Sequence, residues 1–254
     1  MKLYKYVSMA TAQKILAEST IGFSKPNYFN DPFDQPVAIP LPTANPIDGL
    51  FAHVGAQAKS WAWRKNTAIL SLTRTATNPL MWAHYADAHR GAVLAIDTEV
   101  AGLTDPSSNM VPAHFGSVVY VRNLNMGPYY SDFKVGVTVG ETHHFVIEHY
   151  EKWQRLFLTK SLDWAYEEEV RVVKCIRGVH GADCETQSGR FNVVARDGHE
   201  LHAFHIPPAA IVGVTLGMRT SGGDLAALRT SRPDITFNEA RMCAASYAIM
   251  LHPI

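Results

Sequence analysis

The hydrophobic residues of this chain concentrate in short aliphatic runs, a pattern typical of strands buried in a sheet. The clearest runs are AILSLT at residues 68–73 and AVLAID at residues 92–97. The sequence predicts strands at residues 2–7, 21–24, 68–73, 92–97, 118–121, 170–176, 202–206 and 211–216. The polar segment at residues 178–200, which contains several glycines, predicts a hairpin or a loop.

Apolar residues at helical spacing, together with capping residues, predict four helices. Ser8 can cap the first of them. Asn78 can cap the second, with Pro79 at its first helical position and Gly91 placed to end it in a left-handed conformation. The predicted helices cover residues 9–18, residues 79–90, residues 141–158 and a segment after Gly223.

These strands and helices do not alternate strictly, which favours the α+β class. The length of 254 residues is enough for one domain spanning residues 1–254. The proline-rich segment at residues 36–46 is predicted to be an exposed loop rather than a domain linker, because no independent core precedes it.

The composition is that of an ordinary globular protein, with 47% hydrophobic and 18% charged residues. The 23 basic and 23 acidic side chains give zero net charge, so the basic footprint of sequence-independent nucleic-acid binding is absent. Neither an apolar run of membrane-spanning length nor the apolar stretch of a signal peptide is present. We therefore expect a cytoplasmic protein that does not engage a membrane.

Common catalytic and metal-binding motifs are absent from the sequence. It contains no GxGxxG, P-loop, G-x-S-x-G or HExxH string, and its three cysteines lack zinc-ligand spacing. His143, His144 and His149 do not share one helical face, and no acidic residue nearby completes a ligand set. We therefore expect no metal site.

Three adjacent acidic residues, Glu167, Glu168 and Glu169, precede the strand predicted at residues 170–176. Side chains of an extended chain alternate between faces, so Glu167 and Glu169 are predicted to share one side. Their repulsion would raise the pKa of at least one of them, as in carboxylates that hold a hydroxyl or stabilise a developing cation. The alternative is a solvated charge patch that deters edge pairing.

The predicted helix at residues 79–90 carries a row of aromatic residues. Trp82, Tyr85 and His89 lie at positions i, i+3 and i+7, so they share one face of the helix. This face is either a platform for a planar ligand or a part of the hydrophobic core.

Four short motifs along the chain resemble those of a bacterial and phage-associated family of uncharacterised proteins. The resemblance covers roughly residues 3–217 and leaves residues 218–254 as a C-terminal extension. The motifs are Leu3-Tyr4-Lys5-Tyr6, Asn30-Asp31-Pro32-Phe33, Met81-Trp82-x-His84-Tyr85-Ala86 and Tyr166-Glu167-x-Glu169-x-Arg171.

The layout of these motifs also resembles the NAD-binding core of ADP-ribosyltransferases. This resemblance implies a split mixed or antiparallel sheet with peripheral helices, and NAD as a co-substrate. It implies Lys5 at the first-strand position, where those enzymes carry His or Arg, and Tyr85 as the aromatic that packs the nicotinamide. It also implies Glu169 as the catalytic glutamate and Glu167 as its supporting partner. The other cofactor-binding residues that it implies are Asn30, Asp31, Asp34, Ser71, Trp82, His84 and Arg171.

The reaction implied by the resemblance is transfer of ADP-ribose to a protein or nucleic acid, or hydrolysis of NAD without an acceptor. The implied setting is a toxin or phage-defence effector, which an antitoxin or immunity protein would accompany. Two alternatives stay open: a nucleotide or nucleic-acid binding module without turnover, and a metal-independent nuclease using Glu167, Glu169 and His84. The ADP-ribosyltransferase hypothesis requires that Lys5, Tyr85 and Glu169 converge within reach of one dinucleotide.

Overall fold

The computed structural model describes residues 1–34, 44–123, 142–196 and 198–254, in which a large mixed sheet has helices on both faces. The strands are β1 (Lys2–Val7), β2 (Thr20–Ser24), β3 (Thr67–Thr73), β4 (Ala92–Asp97), β5 (Val119–Val121), β6 (Thr159–Ser161), β7 (Glu169–Cys175), β8 (Cys184–Thr186), β9 (Gly189–Arg196), β10 (His199–His205), β11 (Ile211–Leu216), β12 (Thr236–Met242) and β13 (Ile249–Pro253). The α-helices are α1 (Met9–Glu18), α2 (Pro46–Asn66), α3 (Pro79–Tyr85), α4 (Tyr150–Phe157) and α5 (Gly222–Ser231).

The large sheet runs in the order β13-β12-β11-β4-β1-β3-β2-β10-β9-β8, and β7 pairs with the other edge of β3. Its pairs are antiparallel except β11 with β12, which is parallel. Strands β5 and β6 form a separate two-stranded parallel sheet. The structure therefore confirms a mixed sheet with several helices.

The sheet opens at β3, and this opening creates the candidate site. Along one edge β3 pairs with β7 over its full length, from Thr67 to Thr73. Along the other edge β1 meets β3 at the pair Tyr4–Thr73, and β2 meets it at the pair Ser24–Ile69. Strands β1 and β2 therefore touch opposite ends of β3 and leave its middle open.

Strand alternation divides the core between the two faces of the sheet. Leu70 and Leu72 of β3 belong to the cluster that contains the buried residues of α1. Ile69 belongs to a second cluster, with Trp63 of α2 and Trp153 of α4. Strand β7 is buried on both faces; among the described strands it pairs only with β3, while Val111 and Ser117 form isolated bridges to it.

Most of the elements predicted from the sequence are confirmed. The eight predicted strands are present as β1, β2, β3, β4, β5, β7, β10 and β11. Ser8 caps α1, where its hydroxyl accepts a hydrogen bond from the Thr11 amide at 3.3 Å. The segment predicted as a hairpin or loop contains β8 and β9, which pair with each other.

The predicted end of the helix at residues 79–90 is wrong. Helix α3 ends at Tyr85, and positive φ angles occur at Asp87, Ala88 and His89 rather than at Gly91. Gly91 is required for a different reason, because a Cβ atom there would lie 2.2 Å from the carbonyl oxygen of Val7. The turn still brings the His89 ring over the Trp82 ring, with 6.3 Å between their centroids.

Two further segments differ from the prediction. The helix predicted at residues 141–158 is a 3₁₀ turn at Ile147–His149 followed by α4, and residue 141 lies outside the described residues. Pro46 was predicted to lie in a loop but stands in the first turn of α2, where the Asn45 side chain caps the helix. The rest of the proline-rich segment, at residues 36–42, also lies outside the described residues.

None of the helices in the described part of the chain combines the length and the apolar content that crossing a bilayer requires.

Gly91→Ala should test the close approach of the chain at the end of β1. The added methyl group would collide with the backbone of Val7, so we expect the free energy of unfolding to fall by about 1–3 kcal/mol. Gly55→Ala in α2 is the matched control, because its Cβ meets nothing within 4 Å. Alanine favours a helix, so this variant should gain about 0.5–1 kcal/mol. Urea unfolding measures both changes, and equal effects would contradict the packing at Gly91.

Candidate functional site

A cavity of about 210 Å³ lies where β1 separates from β3. Lys5 of β1 spans this opening, because its Nζ donates a hydrogen bond to the carbonyl oxygen of Ser71 at 3.1 Å. In a continuous sheet, the amide of a neighbouring strand would donate to the Ser71 carbonyl oxygen. Here the Lys5 ammonium group donates to it instead. The lining residues are Tyr4, Lys5, Tyr6, Phe29, Asn30, Asp34, Ser71, Leu72, Thr73, Met81, Tyr85, Lys160, Glu167, Glu169 and Arg171.

Most of the predicted site residues meet at this cavity. Those that line it are Lys5, Asn30, Asp34, Ser71, Tyr85, Glu167, Glu169 and Arg171. They come from β1, the segment before α2, β3, α3, the 3₁₀ helix before β7, and β7 itself. The expected convergence of Lys5, Tyr85 and Glu169 is therefore what the structure shows.

Three predicted residues do not line the cavity. Trp82 is fully buried, and its indole Nε1 donates to the carbonyl oxygen of Ala76 at 2.9 Å, so it belongs to the core. Asp31 is also buried, and its carboxylate accepts a hydrogen bond from the Phe33 amide at 2.9 Å, which closes a turn. His84 is exposed and lines a neighbouring groove.

The Arg171 guanidinium organises the floor of the cavity. Its Nε and Nη2 donate to the two carboxylate oxygens of Glu169, at 2.8 and 3.0 Å. Its Nη1 donates to Asp34 and to the carbonyl oxygen of Phe157, both at 2.7 Å, and its Nη2 donates to the second oxygen of Asp34. A guanidinium has five N–H donors, so all of them are used.

Lys160 completes the charge network and was not found from the sequence. Its Nζ lies 2.5 Å from Glu167 Oε2, 3.2 Å from Glu169 Oε2 and 3.8 Å from Asp34 Oδ2. The residue is buried in the short strand β6. Because Lys160 lies between Thr159 and Ser161, its local sequence does not indicate that it is buried. The sequence offered only an indirect indication, since two acidic residues on one side of a strand require a nearby cation.

The backbone between the two glutamates differs from the predicted extended geometry. Glu167 ends a 3₁₀ helix, and Glu168 has a left-handed conformation with φ 45° and ψ 46°. Glu169 then begins β7, and its amide donates to the Tyr120 hydroxyl at 2.8 Å. Glu167 and Glu169 do reach the same side, but a turn brings them there, while Glu168 is exposed.

The two glutamates have opposite pKa shifts. Burial raises the pKa of Glu167 and outweighs the opposing effects of Lys160 and of the Tyr85 hydroxyl. Burial also acts to raise the pKa of Glu169, but Arg171 and Lys160 together lower it to about 2. The prediction that one carboxylate has a raised pKa is confirmed, although burial contributes more than repulsion between the acids.

The two carboxylates also differ in how many donors they bind. Glu169 accepts from two Arg171 nitrogens, from Lys160 and from the Ser71 hydroxyl, which matches the roughly four lone-pair positions of a carboxylate. Glu167 accepts from the Tyr85 hydroxyl at 2.6 Å and from Lys160. Of these two carboxylates, Glu167 is therefore the one with capacity for a further donor.

A larger groove of about 770 Å³ adjoins the cavity. Lys5, Tyr6 and Tyr85 line both, so they form the boundary between the two spaces. The far side of the groove is built from α1, β2 and the hairpin of β9 and β10, and it includes Lys14 and hydroxyl groups of Ser8, Thr20 and Ser24. Within the described residues, no group of three or more His, Cys, Asp or Glu side chains is arranged to hold a metal ion.

Comparison with known proteins gives one family match. A family model described as a protein of unknown function (DUF2971) matches residues 81–172. The matched segment begins at α3 and ends within β7, so it contains Tyr85, Lys160, Glu167, Glu169 and Arg171. No curated protein and no solved structure matches the chain. The chain is therefore similar to an uncharacterised family over the segment that supplies most of the charged cavity residues.

Glu169→Gln should show how the charge network contributes to stability. The folded pKa of Glu169 is about 2, below its ordinary value near 4.5, so the stabilisation is present above pH 4.5 and is lost as the pH falls towards 2. Removing this buried partner of Arg171 should cost about 3–5 kcal/mol near pH 7. Thermal and urea unfolding of parent and variant should therefore converge as the pH is lowered.

Glu167→Gln is the control for this pH dependence. Because the pKa of Glu167 is raised, its ionisation opposes folding above pH 4.5, and its contribution has the opposite sign. We expect Glu167→Gln to be less destabilising than Glu169→Gln, and its difference from the parent should not shrink at low pH. Parallel pH profiles for the two variants would contradict the separate roles of the two carboxylates.

Proposed function

We propose that the cavity and the adjoining groove bind NAD, and that the protein transfers ADP-ribose to a macromolecule or hydrolyses NAD. The observation that carries the proposal is the meeting of Lys5, Tyr85 and the Glu167–Glu169 pair at one opening in the sheet. These residues come from separate motifs whose order resembles the NAD-binding core of ADP-ribosyltransferases. A split sheet of that type is part of the proposal.

The sizes of the two spaces support a ligand with two parts. At about 210 Å³ the cavity is smaller than the roughly 300–1,000 Å³ of pockets that enclose a drug-sized ligand, so it suits one ring and a sugar rather than a whole dinucleotide. We assign the nicotinamide and its ribose to the cavity. The adenosine diphosphate part then passes Lys5 into the groove, where Lys14 and several hydroxyl groups can contact its phosphates and Asp87 also forms part of the lining.

The proposed chemistry uses Glu167 as the carboxylate that contacts the ribose. The bond between ribose C1 and the nicotinamide nitrogen breaks, and its electron pair leaves with nicotinamide. An ionised Glu167 accepts a hydrogen bond from a ribose hydroxyl and stabilises the oxocarbenium-like cation. A nucleophile of the acceptor, or water, bonds to C1 and releases its proton.

In this proposal Glu169 positions the other groups, because its lone pairs are engaged by Arg171, Lys160 and Ser71. The ranking that the sequence resemblance implies, with Glu169 as the catalytic residue, stays a prediction that the same variants test. A toxin or phage-defence role, with an antitoxin or immunity partner, is the biological setting that the resemblance suggests.

A non-catalytic nucleotide-binding module is the second candidate, and one observation favours it. Glu167 and Glu169 are each only 4% exposed, and both already bind cations or hydroxyl groups in the protein. Such a satisfied network can serve as the wall of a binding pocket. The nuclease alternative lacks comparable support, because His84 lines the groove rather than the cavity that holds the two glutamates.

Release of nicotinamide from NAD by the purified protein tests the proposal. Glu167→Gln keeps the shape of the side chain but removes the charge facing the cation, so turnover should fall at least about a hundredfold with NAD affinity nearly unchanged. Glu168→Gln is the matched control, since Glu168 is exposed and lies between the two buried glutamates, and it should match the parent. Chromatography of nicotinamide and calorimetric titration with NAD supply the two measurements.

The outcomes separate the candidates. NAD binding without nicotinamide release would support the binding module, and the absence of both would overturn the NAD proposal. A larger loss of turnover in Glu169→Gln than in Glu167→Gln, with both variants folded, would return the catalytic role to Glu169.

Tyr85 should contribute both to NAD binding and to the orientation of Glu167. Tyr85→Phe keeps the ring but removes the hydroxyl that donates to Glu167, so it should reduce turnover more than NAD affinity. Tyr85→Ala also removes the ring, and it should weaken NAD binding by about 0.5–1.5 kcal/mol beyond any burial effect. If Tyr85 serves only the core, Tyr85→Ala should instead cost about 3–5 kcal/mol of stability with unchanged affinity.

A further inference from the structure

The outward face of α2 carries a continuous apolar stripe. Each of its large members is more than half exposed. At 3.6 residues per turn, they fall within about 100° of the helix circumference, together with the exposed Ala58. The large members are Ile47, Leu50, Phe51, Val54 and Trp61.

The opposite side of α2 is the side that packs against the rest of the protein. Its buried residues are Ala56, Ser60 and Trp63, and Trp63 belongs to the cluster that contains β3 and α4 residues. These positions lie roughly 180° around the helix from the apolar stripe. The helix thus has two apolar faces, and no described segment covers the outer one.

Apart from Phe51, whose counterpart three residues after Val54 is Gln57, the stripe is symmetric about Val54. Ile47 and Trp61 lie seven residues before and after it, and Leu50 and Ala58 lie four residues before and after it. A two-fold axis beside Val54 would therefore place Ile47 against Trp61 of a second copy and Leu50 against Ala58 of that copy. Such an isologous contact requires the two helices to run antiparallel.

Charge complementarity selects the same arrangement. Asp48 and Lys59 lie on the same flank of the stripe, at about 100° and 120° from Ile47. Asp48 is six residues before Val54 and Lys59 is five residues after it. An antiparallel copy therefore brings Asp48 and Lys59 of the second copy to the same side of the pair at nearly the same height, twice by symmetry, whereas a parallel two-fold copy would place them on opposite sides and at different heights.

We propose that this face of α2 is a self-association surface on which a second copy of this chain packs antiparallel. The exposed apolar area of the stripe is roughly 600 Å² per copy, at the upper end for a single patch on a monomer. Two such faces approach the 1,200–2,000 Å² that a stable interface typically buries, with flanking polar residues adding the remainder. Mutual burial of the two stripes stabilises the pair.

Sedimentation velocity of the full chain over a wide concentration range tests the proposal. The parent should be a dimer, and Val54→Asp should raise the dimer dissociation constant at least about a hundredfold, because two carboxylates would face each other at the axis. Val100→Asp is the matched control, since Val100 is 44% exposed and lies in the turn after β4. It should associate like the parent. Circular dichroism melts check that both variants fold.

A charge exchange tests the antiparallel register. Asp48→Lys should weaken association about tenfold, and the double variant Asp48→Lys/Lys59→Asp should restore it. A parent that stays monomeric at every concentration, or a Val54→Asp variant that associates like the parent, overturns the proposal. A double variant that associates no better than Asp48→Lys overturns the antiparallel pairing. A monomer that sediments with phosphatidylserine vesicles would instead assign the stripe to a membrane surface.

Discussion

The Arg171 guanidinium is the group on which the rest of the site depends. It is 1% exposed, and its five donated hydrogen bonds hold Glu169 of the same strand and join β7 to Asp34 and to the end of α4. A buried guanidinium is tolerated only when carboxylates and carbonyl groups replace its water, and here each N–H has such a partner. Asp34 and Glu169 are consequently fixed in position, and one wall of the cavity is rigid before any ligand arrives.

The backbone around Arg171 explains why this arrangement persists. The Arg171 amide donates to the carbonyl oxygen of Gly116 at 2.8 Å, and a Cβ atom at Gly116 would lie 1.9 Å from the carbonyl oxygen of Arg171. The segment before β5 can therefore approach β7 only through a glycine. On the opposite wall, Lys5 takes the place of a missing strand partner of β3. The contacts of Arg171, Gly116 and Lys5 therefore keep β1 and β3 separated at the cavity.

The parts of the fold that could be predicted from the sequence are those in which one local signal is sufficient. The aliphatic runs predicted β3, β4 and β7, and the capping residues Ser8 and Asn78 predicted where α1 and α3 begin. Helix α2 was missed because its apolar residues occupy two opposite faces, so no single stripe stands out against its polar residues.

The candidate site was predicted in part, through motifs rather than through periodicity. The charged motif residues Lys5, Glu167, Glu169 and Arg171 line the cavity, whereas Asp31 closes a turn instead. Lys160 was not predicted as a site residue, because its role depends on a contact between β6 and the turn before β7 that no local sequence pattern encodes. The different protonation behaviour of Glu167 and Glu169 likewise depends on the donors around each of them.

The contrast between the two glutamates gives the proposed reaction its physical basis. Glu169 is held ionised by Arg171 and Lys160, and its lone pairs are occupied, so its charge is locked into the protein. Glu167 has a raised pKa, and a positive charge nearby would favour its ionised form. The nicotinamide ring of NAD carries such a charge, and the charge moves to the ribose as the bond breaks. In the proposed complex, Glu167 therefore keeps the lone-pair capacity to contact the ribose as the positive charge develops, whereas the carboxylate of Glu169 is already engaged by Arg171 and Lys160.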